Sequence, residues 1–487
     1  MKSKILLLRP NHTQDKKDNY PTFPLGLGYI AAVLLEKGHK VDIIDLTLED
    51  VDYTDLTNRI KKINSSVIGI SALSYEYSQV KKLSAYLKEI IPCEIILGGP
   101  LPTYGHDLVL KKTNVDICIL GEGELTIVDL LENLASLEKV KGIAYRDNGK
   151  IVLNAPRELI SDLDTIPFPA YELLDVNKYS ALLMRDIYMS YRNMPNKNKV
   201  HRKMALEASR GCPFACNFCS RLFKKIRKRR VDKVIEEIKY LKERYNIDLI
   251  SFHDELFFLD KKLIYEFCQK IVSSKVGWYG MIRVDTADRA TLEMFKKSNC
   301  LTIFFGVESG SERVLKNMNK GTTPLKIEQA LRDVLEIGLP LDISLLLGYP
   351  GENKDSLQDT VDLLKRVGYP GIKFRYITPY PGSSLYDDCI KKGLIKNEEE
   401  YLESVGDGTG PYRPRINFTD FSDDELASLV PVLVKQVLRN YFIYLLKHPA
   451  YLLKYLFHKD FMNPVYYYYN RWFHPTNYDK AARKRKN

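Results

Sequence analysis

Ala208-Ser209-Arg210-Gly211-Cys212-Pro213-Phe214-Ala215-Cys216-Asn217-Phe218-Cys219-Ser220 is the stretch around which the 487-residue chain is organised. Its cysteines are spaced Cys212-x3-Cys216-x2-Cys219, too close for a disulfide framework and odd in number. A closed zinc site takes four ligands, usually in two separated pairs, so this loop is one thiolate short. Three thiolates can instead hold three irons of a 4Fe-4S cube and leave the fourth open. The open iron can bind a ligand and pass it an electron.

With an aromatic residue, Phe218, just before the last cysteine, the loop resembles that of the radical S-adenosylmethionine (radical SAM) superfamily. The resemblance implies that Cys212, Cys216 and Cys219 are the iron ligands. It further implies that the open iron chelates SAM, and that an electron from the cluster cleaves the sulfonium to a 5′-deoxyadenosyl radical.

A chain of this length is too long for one ordinary core and implies two or three domains. Its 45% hydrophobic and 28% charged residues are those of a globular protein. Eight cysteines, three of them in the loop, fit a reducing compartment. Ile5–Leu8 before Arg9 is too short for a signal-peptide core, and no run of about 18 uncharged apolar residues appears. The expected location is cytoplasmic. The formal charge of +11 is concentrated late, since residues 431–487 carry eleven Lys or Arg against Asp460 and Asp479.

Residues 1–150 alternate apolar runs with helical patterns. Strands are expected at Ile5–Leu8, Val41–Leu46, Val67–Ala72, Glu94–Leu97 and Val115–Leu120. Helices are expected near Gly26–Lys37, Tyr53–Ile63, Glu76–Ile90 and Thr126–Leu134. This order predicts a flavodoxin-like, doubly wound parallel sheet, with its ligand crevice beyond the carboxyl ends of the strands. Gly26, Ser71, Gly98, Gly99, Gly121 and Glu122 stand at those ends, where glycine lets backbone approach a ligand closely. Such glycines also serve plain helix packing. The domain, the Gly121-Glu122-Gly123-Glu124 turn and the following cysteine loop together resemble the cobalamin-binding radical SAM subfamily. The resemblance implies cobalamin as a third cofactor. The Asp-x-His-x-x-Gly signature of histidine-ligated cobalamin is absent, and His12 lacks its context.

Residues 151–204 read as a linker around Pro167-Phe168-Pro169, with an exposed loop or hairpin from Met184 to Lys203. Residues 205–395 show strands at Met204–Ala208, Leu249–Phe252, Trp278–Ile282, Thr302–Val307, Ile343–Leu347 and Lys373–Thr378, separated by amphipathic helices such as Val231–Glu243. Six such units predict a partial (β/α)6 barrel, with functional residues at the strand ends. Arg283, Gly306, Glu308 and Ser309 stand there, and by resemblance they line the SAM site together with the backbone beside Phe218. A guanidinium, a carboxylate and open glycine backbone complement SAM's zwitterionic end and hydroxyls. His253, Asp254 and Tyr380 are further candidates for contacting substrate or cofactor.

Residues 396–487 form a C-terminal helical, basic and aromatic region. Asp423–Leu446 reads as a helix and Tyr451–Phe457 as a second, short one. The region either packs as a cap over the barrel mouth, the favoured reading, or docks on an anionic membrane surface. No nucleic-acid module is recognisable.

The whole points to an oxygen-sensitive enzyme acting on a small-molecule or lipid substrate, with an external electron donor such as flavodoxin or ferredoxin. The resemblance implies methyl transfer to an unactivated carbon, or alternatively a cyclisation or oxidative rearrangement. A methylthiotransferase would need three N-terminal cysteines for a second cluster, and only Cys93 and Cys118 precede the loop. A non-catalytic cobalamin or iron–sulfur sensor would have no use for the SAM-site residues.

Overall fold

Strands whose side chains are apolar on both faces must be covered on both faces, and this governs the first unit. In the computed structural model, β1 (Lys4–Arg9) sends Leu6 and Leu8 into one core and Ile5 and Leu7 into another. The structure describes residues 2–11, 22–48, 53–183, 200–257, 259–369, 374–406 and 413–449. His12, most of the 184–203 stretch, the 451–457 helix and the rest of the tail lie outside the described residues. β2 (Lys40–Asp45), β3 (Val67–Ser71), β4 (Glu94–Gly98) and β5 (Ile117–Ile119) join β1 in a parallel sheet of order β2-β1-β3-β4-β5, as expected. An antiparallel hairpin, β6 (Ile143–Asp147) and β7 (Lys150–Leu153), extends the sheet beyond β5. Asn148 and Gly149, both at positive φ, make its two-residue turn.

The second unit has a sheet of order β16-β15-β14-β13-β12-β9-β8. Its six parallel strands are β9 (Val200–Leu206), β12 (Leu249–Phe252), β13 (Gly277–Ile282), β14 (Cys300–Glu308), β15 (Leu341–Leu347) and β16 (Phe374–Tyr376). Helices Val231–Tyr245, Lys261–Ser274, Arg289–Lys297, Pro324–Ile337 and Lys354–Val367 cover the convex face in one continuous core. The edge strands are not paired with each other, so the barrel is partial. β8 (Ala181–Leu183), within the stretch read as a linker, adds an antiparallel edge to β9. A two-residue ladder of β10 (Ser209–Arg210) with β11 (Arg227–Lys228) closes the base of the cysteine loop.

The C-terminal region ties the units together. Tyr401, Leu402 and Val405 of the helix Glu398–Val405 are buried in the first unit's core. Lys81 there pairs with Glu399 at 2.7 Å and Glu403 at 2.9 Å. The helix Asp423–Lys447 starts with a Ser422/Glu425 capping box and buries Leu426, Leu433, Val434, Val437, Tyr441 and Leu445. It lies along Lys354–Val367, with Gln436 donating to Gln358 at 2.9 Å. The helix therefore packs on the barrel's flank, with Leu426 near Gly348. Ahead of it, Phe418 packs beside Phe218 and Tyr349 at the mouth, so the part of the expected cap among the described residues comes from this segment and not from the long helix. The helix is long and apolar enough to cross a membrane by length and composition alone, but it carries Lys435 and Arg439 mid-way.

Candidate functional site: two facing strand ends and a cysteine loop

The carboxyl ends of the two sheets face each other. Tyr104, in the helix after β4, donates its hydroxyl to the Arg221 carbonyl beyond the cysteine loop. A Cβ on Gly382, after β16, would meet the Tyr104 ring at 2.6 Å. Arg9 ends β1, and its charge is felt by His253, which follows β12. Both sets of strand ends, where binding residues gather in such folds, thus border one chamber.

The cysteine loop is fixed at its base by Gly211. Its φ is +93°, and a Cβ there would come within 2.4 Å of the Lys225 carbonyl oxygen. Further along, the Asn217 N–H donates to the Met318 carbonyl at 2.9 Å, and the Asn319 side chain donates to Ala215 O at 2.8 Å. All eight cysteines are free. The five outside the loop are buried, whereas Cys212 and Cys216 are half-buried and Cys219 is exposed. Cys219 shows its sulfur to the chamber yet is walled round by protein, and burial, then Cys216 and Cys212, push its pKa up to about 12. Burial likewise raises the Cys212 thiol. Thiols raised in this way, as at Cys212 and Cys219, ionise readily when metal binds them. Among the described residues, no three His, Cys, Asp or Glu are gathered as a site for one metal ion. A cube gives each thiolate its own iron, so it does not require that gathering. The loop fits a 4Fe-4S cluster.

Arg283 is committed to this loop. It donates to Cys216 Sγ at 3.7 Å, to both Asp285 oxygens at 2.9 Å and to the Lys320 carbonyl at 2.5 Å. Its guanidinium also lies 3.7 Å from the centre of the Phe214 ring. Its charge thus lies against the Cys216 sulfur, and its other donors are taken by Asp285 and the Lys320 carbonyl. Glu308 ends β14 with φ at +65°, uncommon for a non-glycine residue, just after a bulge between Gly306 and Glu308. Its Oε1 accepts from Lys320 at 2.8 Å. A Cβ on Gly306 would sit 2.5 Å from that oxygen, so glycine makes room for the pair. Among the described residues Oε2 has no partner, and it is not sealed in, so it can receive an ammonium such as SAM's. Phe218 packs edge-on to Tyr349 at 6.4 Å beside Lys320. Ser309 is buried and serves the Ser311 N–H and Thr360, away from the chamber.

On the opposite wall, Cβ atoms added at Gly26, Gly98 or Gly121 would meet nothing within 4 Å. Ser71 lies beside Gly98 in the ladder and is half-buried. Gly99, at φ +96°, is needed for packing instead, because a Cβ would lie 2.7 Å from the Ala72 carbonyl oxygen. Open glycine strand ends facing the cysteine loop fit a large flat macrocycle.

Glu122 is different. It is buried and accepts from Arg210 at 2.9 Å, from Arg227 at 2.7 and 2.8 Å, and from the Ile160 N–H at 2.8 Å. Arg210 also pairs with Glu124 and Glu207, each at 2.7 Å. The acidic turn after β5 therefore clamps the ladder under the cysteine loop, and this ion-pair role replaces the expected cofactor contact. Asp254 is also structural. It accepts from Ser209 Oγ at 2.6 Å and the Ala208 N–H at 3.2 Å. His253, by contrast, shows its ring to the chamber, and burial, Lys203 and Arg9 bring its pKa down to about 4. Tyr380 is half-buried against the first unit's core.

The sequence reading gave no role to Lys320, Asp285, Arg227 or Arg229. Arg227 and Arg229 are buried while Arg230 is exposed, and a run of four basic residues does not announce which of them turn inward.

A partial barrel with this loop, facing an open-ended doubly wound domain, defines a cofactor-dependent radical enzyme class. Family models agree: "Radical SAM superfamily" matches residues 206–364 and "B12 binding domain" matches 16–131. An uncharacterized methyltransferase, PH0819, of Pyrococcus horikoshii is 32% identical, over 80% of this chain and 84% of its own. The anaerobic magnesium-protoporphyrin IX monomethyl ester cyclase of a Synechocystis species is 28% identical, over 81% and 79%. Among solved structures, the radical SAM methyltransferase TsrM of Kitasatospora setae, with cobalamin and a [4Fe-4S] cluster, superposes with TM-score 0.65 at 16% identity. It covers 80% of this chain and 75% of its own. OxsB with aqua-cobalamin and SAM gives TM-score 0.63 at 20% identity, over 92% and 62%. The chain belongs to the radical SAM superfamily, in the group with an N-terminal B12-binding domain, and is an enzyme using a 4Fe-4S cluster, SAM and cobalamin.

Proposed function

We propose that the enzyme transfers a methyl group from SAM to an unactivated carbon of a small molecule. The observation that carries this reading is the single chamber shared by the cysteine loop and the open glycine ends of the B12-binding domain. Two relatives named as methyltransferases support it: PH0819, and the cytidylyl-2-hydroxyethylphosphonate methyltransferase of Streptomyces wedmorensis, which is 28% identical over 81% of this chain and 83% of its own. When bound, cobalamin would supply a methyl carrier and the cluster a deoxyadenosyl radical.

The chain's own residues divide the remaining work. Cys212, Cys216 and Cys219 hold iron, and Arg283 donates to the Cys216 sulfur. Glu308, held by Lys320, offers a carboxylate oxygen to the SAM amino group, while Phe218 and its backbone border the adenosine. Gly26, Gly98 and Gly121 leave room for the corrin on the facing wall. An external one-electron donor such as flavodoxin or ferredoxin reduces the cluster.

The test needs no knowledge of the substrate. Reconstituted holoenzyme with reduced cobalamin is given SAM deuterated in its methyl group. Methyl transfer predicts release of S-adenosylhomocysteine with the label recovered in the cobalamin fraction. Deoxyadenosine formation with SAM's methyl group left entirely in methionine would instead mark a cyclase or rearrangement enzyme.

A further inference from the structure

The concave face of the half-barrel holds a charge that no role so far explains. In β9, Met204 and Leu206 point to the convex face and join the core beneath the helices. The residues alternating with them, Lys203 and Ala205, therefore point into the barrel interior. Lys203 is 7% exposed. It makes no hydrogen bond or ion pair with any described residue, and burial is the one influence on its titration. Its ammonium is nevertheless not among the sealed, unpaired polar atoms, so it keeps some access to solvent.

Two carboxylates share the concave face, the buried Asp342 on β15 and Glu207 beyond Ala205, but neither is hydrogen-bonded to or paired with Lys203, and the nearer surroundings are apolar. Leu249 packs with Tyr279, Leu301 and Phe304 as a floor, and Met281 is 49% exposed near the mouth. His253 stands two residues beyond Ser251 on the same face of the next strand and feels the Lys203 charge. An ammonium taken out of water without a counter-ion is costly, and burial accordingly lowers the Lys203 pKa. Proteins keep such a group where a ligand brings the opposite charge.

We infer that Lys203 is the seat for an anionic group of the substrate, a carboxylate or a phosphate, entering the half-barrel past His253. The inference rests on the reading of the half-barrel as the place where substrate is modified. It does not depend on whether the modification is methylation or ring closure. It makes Lys203 a specificity-determining residue that holds the substrate's charged end below the chamber, leaving the uncharged part of the molecule toward the cofactors.

The experiment uses cobalamin- and cluster-loaded full-length protein with SAM present, so that cofactor sites are filled. Binding of inorganic phosphate and of acetate is measured by calorimetry for wild type, Lys203→Met and, as a surface control, Lys224→Met. The expected result is binding of one of the two anions by wild type and the control, weakened at least tenfold in Lys203→Met. Which anion binds identifies the group. Thermal unfolding provides the second readout: Lys203→Met is expected to melt no lower than wild type, because an unpaired buried charge has been replaced by a side chain of similar shape. Equal anion affinity in wild type and Lys203→Met would overturn the proposal, as would no binding of either anion by wild type. A marked fall in melting temperature for Lys203→Met would also overturn it, since Lys203 would then be a structural cation. None of these outcomes bears on the deuterium-transfer test, so the two readings fail separately.

Discussion

At the scale of single residues, the division of labour among cysteines is sharp. Cys212, Cys216 and Cys219 border open space, while Cys300 sits wholly inside the barrel core and Cys268 nearby. Cys216→Ala is expected to abolish the iron–sulfur absorbance and SAM cleavage while leaving the N-terminal domain folded. Cys300→Ala is expected to keep the cluster and lose only packing stability. Iron titration and visible spectra of both variants check this. The three cysteines stand out in the sequence by their spacing and by the resemblance it carries. That Arg283 lies against Cys216 could not be read there, because the chain places Cys216 sixty-seven residues before it.

Glu352 offers a prediction in pH. Its carboxyl is 2% exposed and accepts from the Gly348 N–H at 2.5 Å, and burial raises its pKa from 4.5 to about 7. The folded state therefore holds a proton that the unfolded state has released. The contribution is complete below about pH 4.5 and is lost as pH rises through about 7. It amounts to something on the order of 2–4 kcal/mol. Urea unfolding of apoprotein at several pH values is expected to show this decline in wild type. Glu352→Gln, which keeps an acceptor oxygen but cannot ionise, is expected to show a flatter profile over the same range.

At the scale of elements, the buried ion cluster is the feature that sequence concealed most fully. The Gly121–Glu124 turn reads as a ligand loop because it is rich in glycine and its place after the fifth strand is right. Gly121 is consistent with that, but Glu122 spends both oxygens on Arg210, Arg227 and the Ile160 N–H. Glu122→Ala would leave the buried Arg227 without its carboxylate partner, while Arg210 keeps Glu124 and Glu207, a loss of about 3–5 kcal/mol. Chemical denaturation of the apoprotein measures it, and Glu138→Ala, on an exposed stretch, serves as the control. The long parallel strands were readable because two-sided burial demands unbroken apolar runs, as in Ile5–Leu8 and Val67–Ile70. The β6–β7 hairpin was missed although Asn148-Gly149 announces a two-residue turn. Its outer strand has no fully buried residue, so its apolar signal is weak.

At the scale of the whole molecule, two domain types predicted separately turn out to be bound by buried polar contacts as much as by apolar ones. Tyr171 illustrates this. It follows the Pro-Phe-Pro connector, is fully buried, and donates to Glu237 at 2.6 Å, while Arg229 reaches the other Glu237 oxygen at 2.5 Å. Linkers read from proline content alone give no hint of such commitment, because it depends on what lies opposite in space.

The clamp formed by Glu122 with Arg210 and Arg227 has a consequence for the protein's history in the cell. If passage of the broad corrin between the strand ends requires the walls to part, entry and exit share the barrier for breaking these buried ion pairs. Chain made without cobalamin is expected to take it up slowly after purification, and protein assembled with it is expected to resist dialysis. Glu122→Gln, which weakens the clamp while retaining an acceptor, is expected to speed both directions by a similar factor and leave the occupied fraction at saturation unchanged. Following the visible spectrum of mixed apoprotein and cobalamin measures the forward rate, and chasing with an unbound competitor measures the reverse.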